Sequence, residues 1–227
     1  DTANITLQSN AAPYLGSDQA VSVCPGILID LTSLFNSSGL TTSWSSNNIP
    51  VANPMSVSQS GTYQLIVSDA NSCEDTALVQ LNNLPTPALG NDQQAHICDG
   101  SSIDLTSLYN TVGLSTAWSV SGAAVTFPQQ ITAAGNYQLI ATNGSGCNDT
   151  AIVALTVDPL PVVGAPATVS ICQGETADLT QLFLTNGYST SWTINGIPVA
   201  NPVAVTAAGL YILELTTNTG CTAATTA

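Results

Sequence analysis

The 227-residue chain has no lysine and no arginine, against 14 aspartates and glutamates, for a formal net charge of −14. With no cation to neutralise phosphates and release counterions, nucleic acid is excluded as a partner. Anionic membrane surfaces are disfavoured on the same ground. The same absence removes the Schiff base, the amine nucleophile and the Lys–Asn isopeptide crosslink, together with every trypsin-type cleavage site. Histidine is nearly absent too. The one His96 stands where equivalent positions carry Ser22 and Ser170, so no histidine-based dyad recurs, and an exposed, inert His96 is expected. No apolar run approaches the roughly 20 residues that span a bilayer, so no direct membrane insertion is expected. Aromatics make up 5% of the chain, too few for rows of exposed sugar-stacking rings. The N-terminus, Asp1-Thr2-Ala3-Asn4, has neither a basic nor an apolar leader region and is expected to be mature or internal sequence.

What is present is 44% hydrophobic residues in regular alternation, enough to bury a core. Six cysteines stand at 24, 73, 98, 147, 172 and 221 without a CxxC pair, and one histidine cannot complete a zinc site at such spacings. A disulfide framework is expected, and with it an oxidising, extracellular location at the cell surface.

The chain repeats itself every 74 residues. Cys24, Cys98 and Cys172 are related by this interval, and so are Cys73, Cys147 and Cys221; Trp44, Trp118 and Trp192; Gly61, Gly135 and Gly209; and Tyr63, Tyr137 and Tyr211. Asp1-Thr2-Ala3 falls in register with Asp75-Thr76-Ala77 and Asp149-Thr150-Ala151. Residues 1–13 are therefore expected to be the last strand of a preceding repeat. Residues 14–87 and 88–161 form two further repeats, and 162–227 a third with its last strand truncated. Two origins fit such ends: a chain cut from a longer array, or a loose N-terminal segment that completes the open repeat of a neighbouring molecule.

Within a repeat the pattern is that of strands. Tyr63, Leu65 and Val67 alternate with polar residues, as do Ala77, Val79 and Leu81, and the parity continues in Ala3, Ile5 and Leu7. Ile27, Ile29 and Leu31 predict a strand near the start of the repeat, and the segment around Trp44 another. Leu31–Phe35 predicts one helical turn, capped by Asp30 or Thr32 and ended by Gly39. Short strands separated by turn signals favour a sandwich. A 74-residue repeat has a thin core, for which a covalent tie is the usual remedy. The constant spacing predicts pairing within each repeat, 24–73, 98–147 and 172–221, worth about 4 kcal/mol per loop by chain entropy, with cross-repeat pairs left open. Proline pairs at Pro85-Thr86-Pro87 and Pro159-Leu160-Pro161 predict stiff, extended joints.

The succession Cys172-Gln173-Gly174, Asp178-Leu179-Thr180, Trp192, Gly209-Leu210-Tyr211 and Gly220-Cys221 resembles the Ig-like and PKD-like repeats of giant Bacteroidota surface proteins, such as gliding-motility adhesins and other type IX secretion cargo. The resemblance covers the whole chain. It implies an all-β tandem array of Ig-like sandwich repeats, each with one intra-repeat disulfide, in a non-enzymatic adhesin or filament. One departure stands out: in antibody-type domains the second cysteine lies two residues after the strand-F tyrosine, where this chain has Leu65, Leu139 and Leu213. The bridge is therefore expected at an edge or end of the sandwich, near the turn into the last strand, and Trp44, Trp118 and Trp192 are expected to keep a core role beside Tyr63, Tyr137 and Tyr211. Asp-Thr-Ala also matches the acceptor pattern of the O-glycosylation system of those bacteria, which implies Thr2, Thr76 and Thr150 as glycan sites. The alternative is a turn aspartate followed by a β-favouring threonine.

No cofactor is expected. Asp30, Asp104 and Asp178 recur as calcium-binding aspartates would, but no Asp-x-Asp cluster accompanies them and calcium needs six or more oxygens. The expected function is a stiff rod or stalk in a long extracellular adhesin, with neighbouring repeats as partners. The alternatives are a subunit that joins copies of itself head to tail by donor-strand complementation, and a carbohydrate-binding module of a secreted enzyme.

Overall fold

The computed structural model describes residues 2–227 and is all-β, with fourteen strands in three sheets and three short 3₁₀ turns among the described residues. The first sheet has the spatial order β1 (Gln19–Val23), β5 (Glu74–Asn83), β4 (Gly61–Ser68), β2 (Thr41–Ser46) and β3 (Ile49–Pro50). The second repeats that order with β6 (Gln93–Cys98), β10 (Asn148–Asp158), β9 (Gly135–Thr142), β7 (Ser115–Val120) and β8 (Ala123–Ala124). The third has β12 (Ile197–Pro198), β11 (Ser189–Ile194), β13 (Tyr211–Thr216) and β14 (Thr222–Thr226). Neighbouring strands of the first sheet are antiparallel except β1, which runs parallel to the second half of β5, from Gln19 opposite Val79 to Val23 opposite Asn83. β6 lies parallel to β10 in the same way.

The residues group into two compact units. One comprises Asp1–Ala88, Gly113–Ser115 and Ala141–Asp149; the other comprises Leu89–Val112, Thr116–Ile140 and Thr150–Ala227.

Period-two alternation sets the core of each sheet. In β4, Tyr63, Leu65 and Val67 turn inward, and in β5 Ala77, Val79 and Leu81 do the same, all buried. Trp44 packs on them from β2, with the Phe35 ring 6.3 Å away. The facing layer is reduced to a minimum: one antiparallel bridge, Ile29 with Val57, and the 3₁₀ turn Leu31–Leu34, whose Leu31 is fully buried. Ile103 with Ile131 and Ala177 with Val205 repeat that bridge. The fold is thus a sandwich with one full sheet and one residual layer.

Two local devices recur three times. The Asp30 carboxylate accepts hydrogen bonds from the Thr32 amide (2.9 Å) and hydroxyl (2.6 Å) and caps the 3₁₀ turn; Asp104 with Thr106 and Asp178 with Thr180 do the same. The Tyr63 hydroxyl donates to the Gln59 carbonyl (2.7 Å), four residues upstream, as Tyr137 does to Ala133 (2.8 Å) and Tyr211 to Ala207 (2.7 Å). This is the tyrosine corner of immunoglobulin-like sandwiches. A glycine stands two residues before each tyrosine, and in the third repeat it keeps the strand start narrow: a Cβ on Gly209 would lie 2.7 Å from Ile194 Cδ1.

Two expectations change. Ile27, Ile29 and Leu31 do not form a strand: Ile27 is half exposed, Ile29 makes only the single bridge, and Leu31 opens the 3₁₀ turn, because Asp30 captures the amide that a strand would need. The first strand of the repeat is instead β1, an edge strand. The helical turn ends at Phe35, which is already extended, before Gly39 is reached.

Leu65→Ala is expected to cost about 2–5 kcal/mol through the cavity left beside Trp44. Tyr63→Phe is expected to cost about 1 kcal/mol through the lost corner bond, both read as shifts of the urea midpoint.

Candidate functional site: the cysteine junctions

The cysteines occupy two recurring turns. Cys24, Cys98 and Cys172 each begin a Cys-x-Gly turn closed by a bond from the third following amide to the cysteine carbonyl, Ile27 to Cys24 (3.2 Å), Ser101 to Cys98 (2.9 Å) and Glu175 to Cys172 (3.0 Å). Gly26, Gly100 and Gly174 take φ of +83°, +80° and +89°, so glycine is what this turn requires.

The second turn joins the long strands of the hairpin. Asp69 Oδ1 accepts from the Asn71 and Cys73 amides (2.9 Å each), and the Asp69 amide donates back to the Cys73 carbonyl (3.1 Å). Asn143 repeats this with Ser145 (3.0 Å) and Cys147 (3.1 Å), and the Thr217 hydroxyl accepts from the Cys221 amide (3.0 Å). A side chain at one position therefore preforms the loop that presents each second-position cysteine.

The structure corrects the expected pairing. The disulfides are Cys24–Cys147 and Cys98–Cys221, with S–S distances of 2.03 and 2.02 Å and sequence separations of 123 residues each, while Cys73 and Cys172 are free thiols. Pairing 24–73, 98–147 and 172–221 is overturned. The physical reason lies in topology: the first-position cysteine ends a strand beside the C-terminal end of β5, whereas the second-position cysteine sits in the β4–β5 hairpin loop at the other end of that strand, ten residues of extended chain away. The cysteine within reach of the first position is the one in the hairpin loop of the following repeat.

In the unit that holds Cys24–Cys147, the loop is anchored further by Asn143, whose Nδ2 donates to the Pro85 carbonyl (2.7 Å). In the unit that holds Cys98–Cys221, the Cys221 sulfur lies 3.9 Å from the Asp158 carbonyl oxygen. Cys147 and Cys221 are fully buried, Cys73 is half-buried and Cys172 is exposed. The constraint is large: closing a loop of this length corresponds to about 5 kcal/mol of denatured-state entropy.

Trp44, Trp118 and Trp192 and Tyr63, Tyr137 and Tyr211 are buried, and burial pushes the Tyr63 phenol pKa up. The three aspartates cap turns; the Thr180 hydroxyl holds the Asp178 carboxyl below its ordinary pKa. Among the described residues no group of three or more His, Cys, Asp or Glu side chains could hold a metal ion. His96 is exposed, with Nδ1 2.6 Å from the Thr156 hydroxyl and 3.5 Å from Asp158 Oδ2. Thr76 and Thr150 are exposed within β5 and β10, and Asp75 accepts from the Leu15 amide (2.7 Å) and the Thr76 amide (2.9 Å). Asp1 lies outside the described residues. Thr2 is exposed, and residues 2–13 form no strand.

In the third repeat, β14 ends at Thr226 and residues 167–171, which align with β1, form no strand. A groove of about 780 Å³ lies there, lined by Val169, Ile171, Leu179, Val205, Tyr211 and Ala227 among others.

No protein-family model matches the chain, and no curated protein matches it. Similar solved structures include Sidekick-1 immunoglobulin domains 1–4 (17% identity, 96% of this chain and 74% of that one, TM-score 0.26). The I9–I11 tandem from titin is another (9% identity, 93% and 96%, TM-score 0.30), and so is the Bacteroides ovatus mixed-linkage glucan utilisation protein SGBP-B (16% identity, 97% and 67%, TM-score 0.22). At these scores nothing about partners or activity is carried over from them.

Cys147→Ser is expected to lower stability by about 2–4 kcal/mol, whereas Cys73→Ser should change it by less than about 0.5 kcal/mol. Denaturant unfolding of the two variants without reductant checks this; intra-repeat pairing would make them equally damaging.

Proposed function

We propose that the chain is a structural segment of an extracellular surface protein, a stiff stalk of Ig-like repeats without enzymatic activity. The observation that carries this reading is the staggered bridging: each covalent joint made by the main chain is doubled by a disulfide to the next repeat. A doubled joint resists bending and twisting that a single Pro-rich linker permits. The two disulfides fit an oxidising compartment, and no helix is long and apolar enough to cross a membrane. The buried tryptophans weigh against a carbohydrate-binding module, which needs its rings on the surface.

A second reading has its own observation. Ile5 and Leu7 are 93% and 94% exposed, yet they stand in register with Val79 and Leu81, which are fully buried. That alternation has the pattern of a strand donated between copies.

Small-angle scattering tests the stalk. Three repeats of about 35–40 Å in line give a rod of about 100 Å and a radius of gyration near 30 Å. A value near 17 Å, that of a compact domain of this length, would contradict it.

A further inference from the structure

The chain has one histidine and one Asp–Pro bond, and the fold brings them together. His96 lies on β6 and Asp158 ends β10, two parallel strands in which Asp158 stands opposite Cys98. His96 Nδ1 is 3.5 Å from Asp158 Oδ2, a buried oxygen with no hydrogen-bond partner among the described residues. The Thr156 hydroxyl, 2.6 Å from the same nitrogen, fixes the ring. β6 is an edge strand with β10 as its one neighbour in the sheet, so Thr156 and Asp158 are the groups set against His96 there, and the turn after β6 adds Asp99. The Asp99 amide donates to the Asp158 backbone carbonyl (2.8 Å). Both members of the pair depart from the repeat together: the first repeat has Ser22 and Leu84 at these positions.

We propose that this is a self-cleavage site, at which the Asp158 carboxylate breaks the Asp158–Pro159 peptide bond with His96 as the proton donor. Attack of an aspartate on its own backbone carbonyl closes a five-membered ring, so the nucleophile is held in place by the chain itself. An oxygen that is buried and lacks a hydrogen-bond donor is not masked by solvent. The Asp99 amide polarises the carbonyl under attack and stabilises the charge that gathers on its oxygen. Proline is the suited leaving group, because a tertiary amide nitrogen accepts a proton more readily than an ordinary peptide nitrogen.

The step balances as follows in atoms and protons. A bond forms between Oδ2 and the Asp158 carbonyl carbon, the bond from that carbon to the Pro159 nitrogen breaks, and the nitrogen takes a proton from the His96 imidazolium. Water then opens the cyclic anhydride to a side-chain and a terminal carboxylate; of the two protons released, one recharges His96 and the other protonates the new proline amine. Histidine carries the required proton in mild acid, so acid triggers the cut. Cys98 precedes the broken bond and Cys221 follows it, so their disulfide holds the halves together until it is reduced. The reaction turns over once per chain and goes beyond the stalk reading without resting on it.

The test incubates the folded 227-residue chain at about pH 5 and about pH 8, followed by electrophoresis with and without reductant. At the lower pH, fragments 1–158 and 159–227 are expected with reductant and a single band without it, and the fragment masses should sum to the intact chain plus one water. Folding should accelerate the cut by about tenfold or more over the same chain in urea, and His96→Asn should slow it by about tenfold or more. Asp158→Glu keeps an acid beside His96 but enlarges the ring, and should abolish the cut. The comparison with urea uses the unaltered chain, so it decides the matter even where a variant fails to fold. No cut in the folded chain after several days, a cut as fast in urea as in the folded state, or a rate indifferent to His96 would overturn the proposal. None of these outcomes bears on the scattering test, so the stalk reading stands or falls separately.

Discussion

The staggered disulfide is the constraint on which the rest of the molecule depends. A sandwich whose second layer is a single bridge and one 3₁₀ turn has little apolar area to offset its chain entropy. The usual remedy is an internal staple. Here the staple reaches into the next repeat, so it ties two sequence blocks together. The middle repeat takes part in both bridges, through Cys98 and through Cys147.

Electrostatic attraction contributes little to cohesion. With no lysine or arginine there are no ordinary salt bridges, and the His96–Asp158 contact is the one ion-pair geometry found among the described residues. A charge of −14 has no compensating cation, so acidic groups find no ionic partner to draw them together. Cohesion must come from burial, backbone hydrogen bonding and covalent bonds. Polar side chains serve local order: Asp30, Asp104 and Asp178, with Asp69 and Asn143, accept amide hydrogen bonds at turns, where one short acceptor fixes several residues of backbone.

Much of this was legible in the residues. The alternation at Tyr63, Leu65 and Val67, and at Ala77, Val79 and Leu81, placed two central strands with the correct faces, because each is buried on one side only. The Asp-Leu-Thr turn was legible because its capping bond is local. β1 was not: as an edge strand its apolar face is only half covered, and its alternation is weak. The cysteine pairing was also hidden, for a deeper reason. In a repeating sequence, a bond to the same repeat and a bond to the next are equally periodic, so spacing cannot choose between them. The choice is made by the ten-residue length of β5, which carries the hairpin loop and the Cys-x-Gly turn to opposite ends of the sheet.

The most direct measurement is the disulfide map of the chain, alkylated at once under denaturing conditions and cleaved at acidic residues. The account predicts Cys24 linked to Cys147, Cys98 linked to Cys221, and alkyl groups on Cys73 and Cys172. Recovery of Cys24 linked to Cys73 would contradict it, and the doubled joint with it.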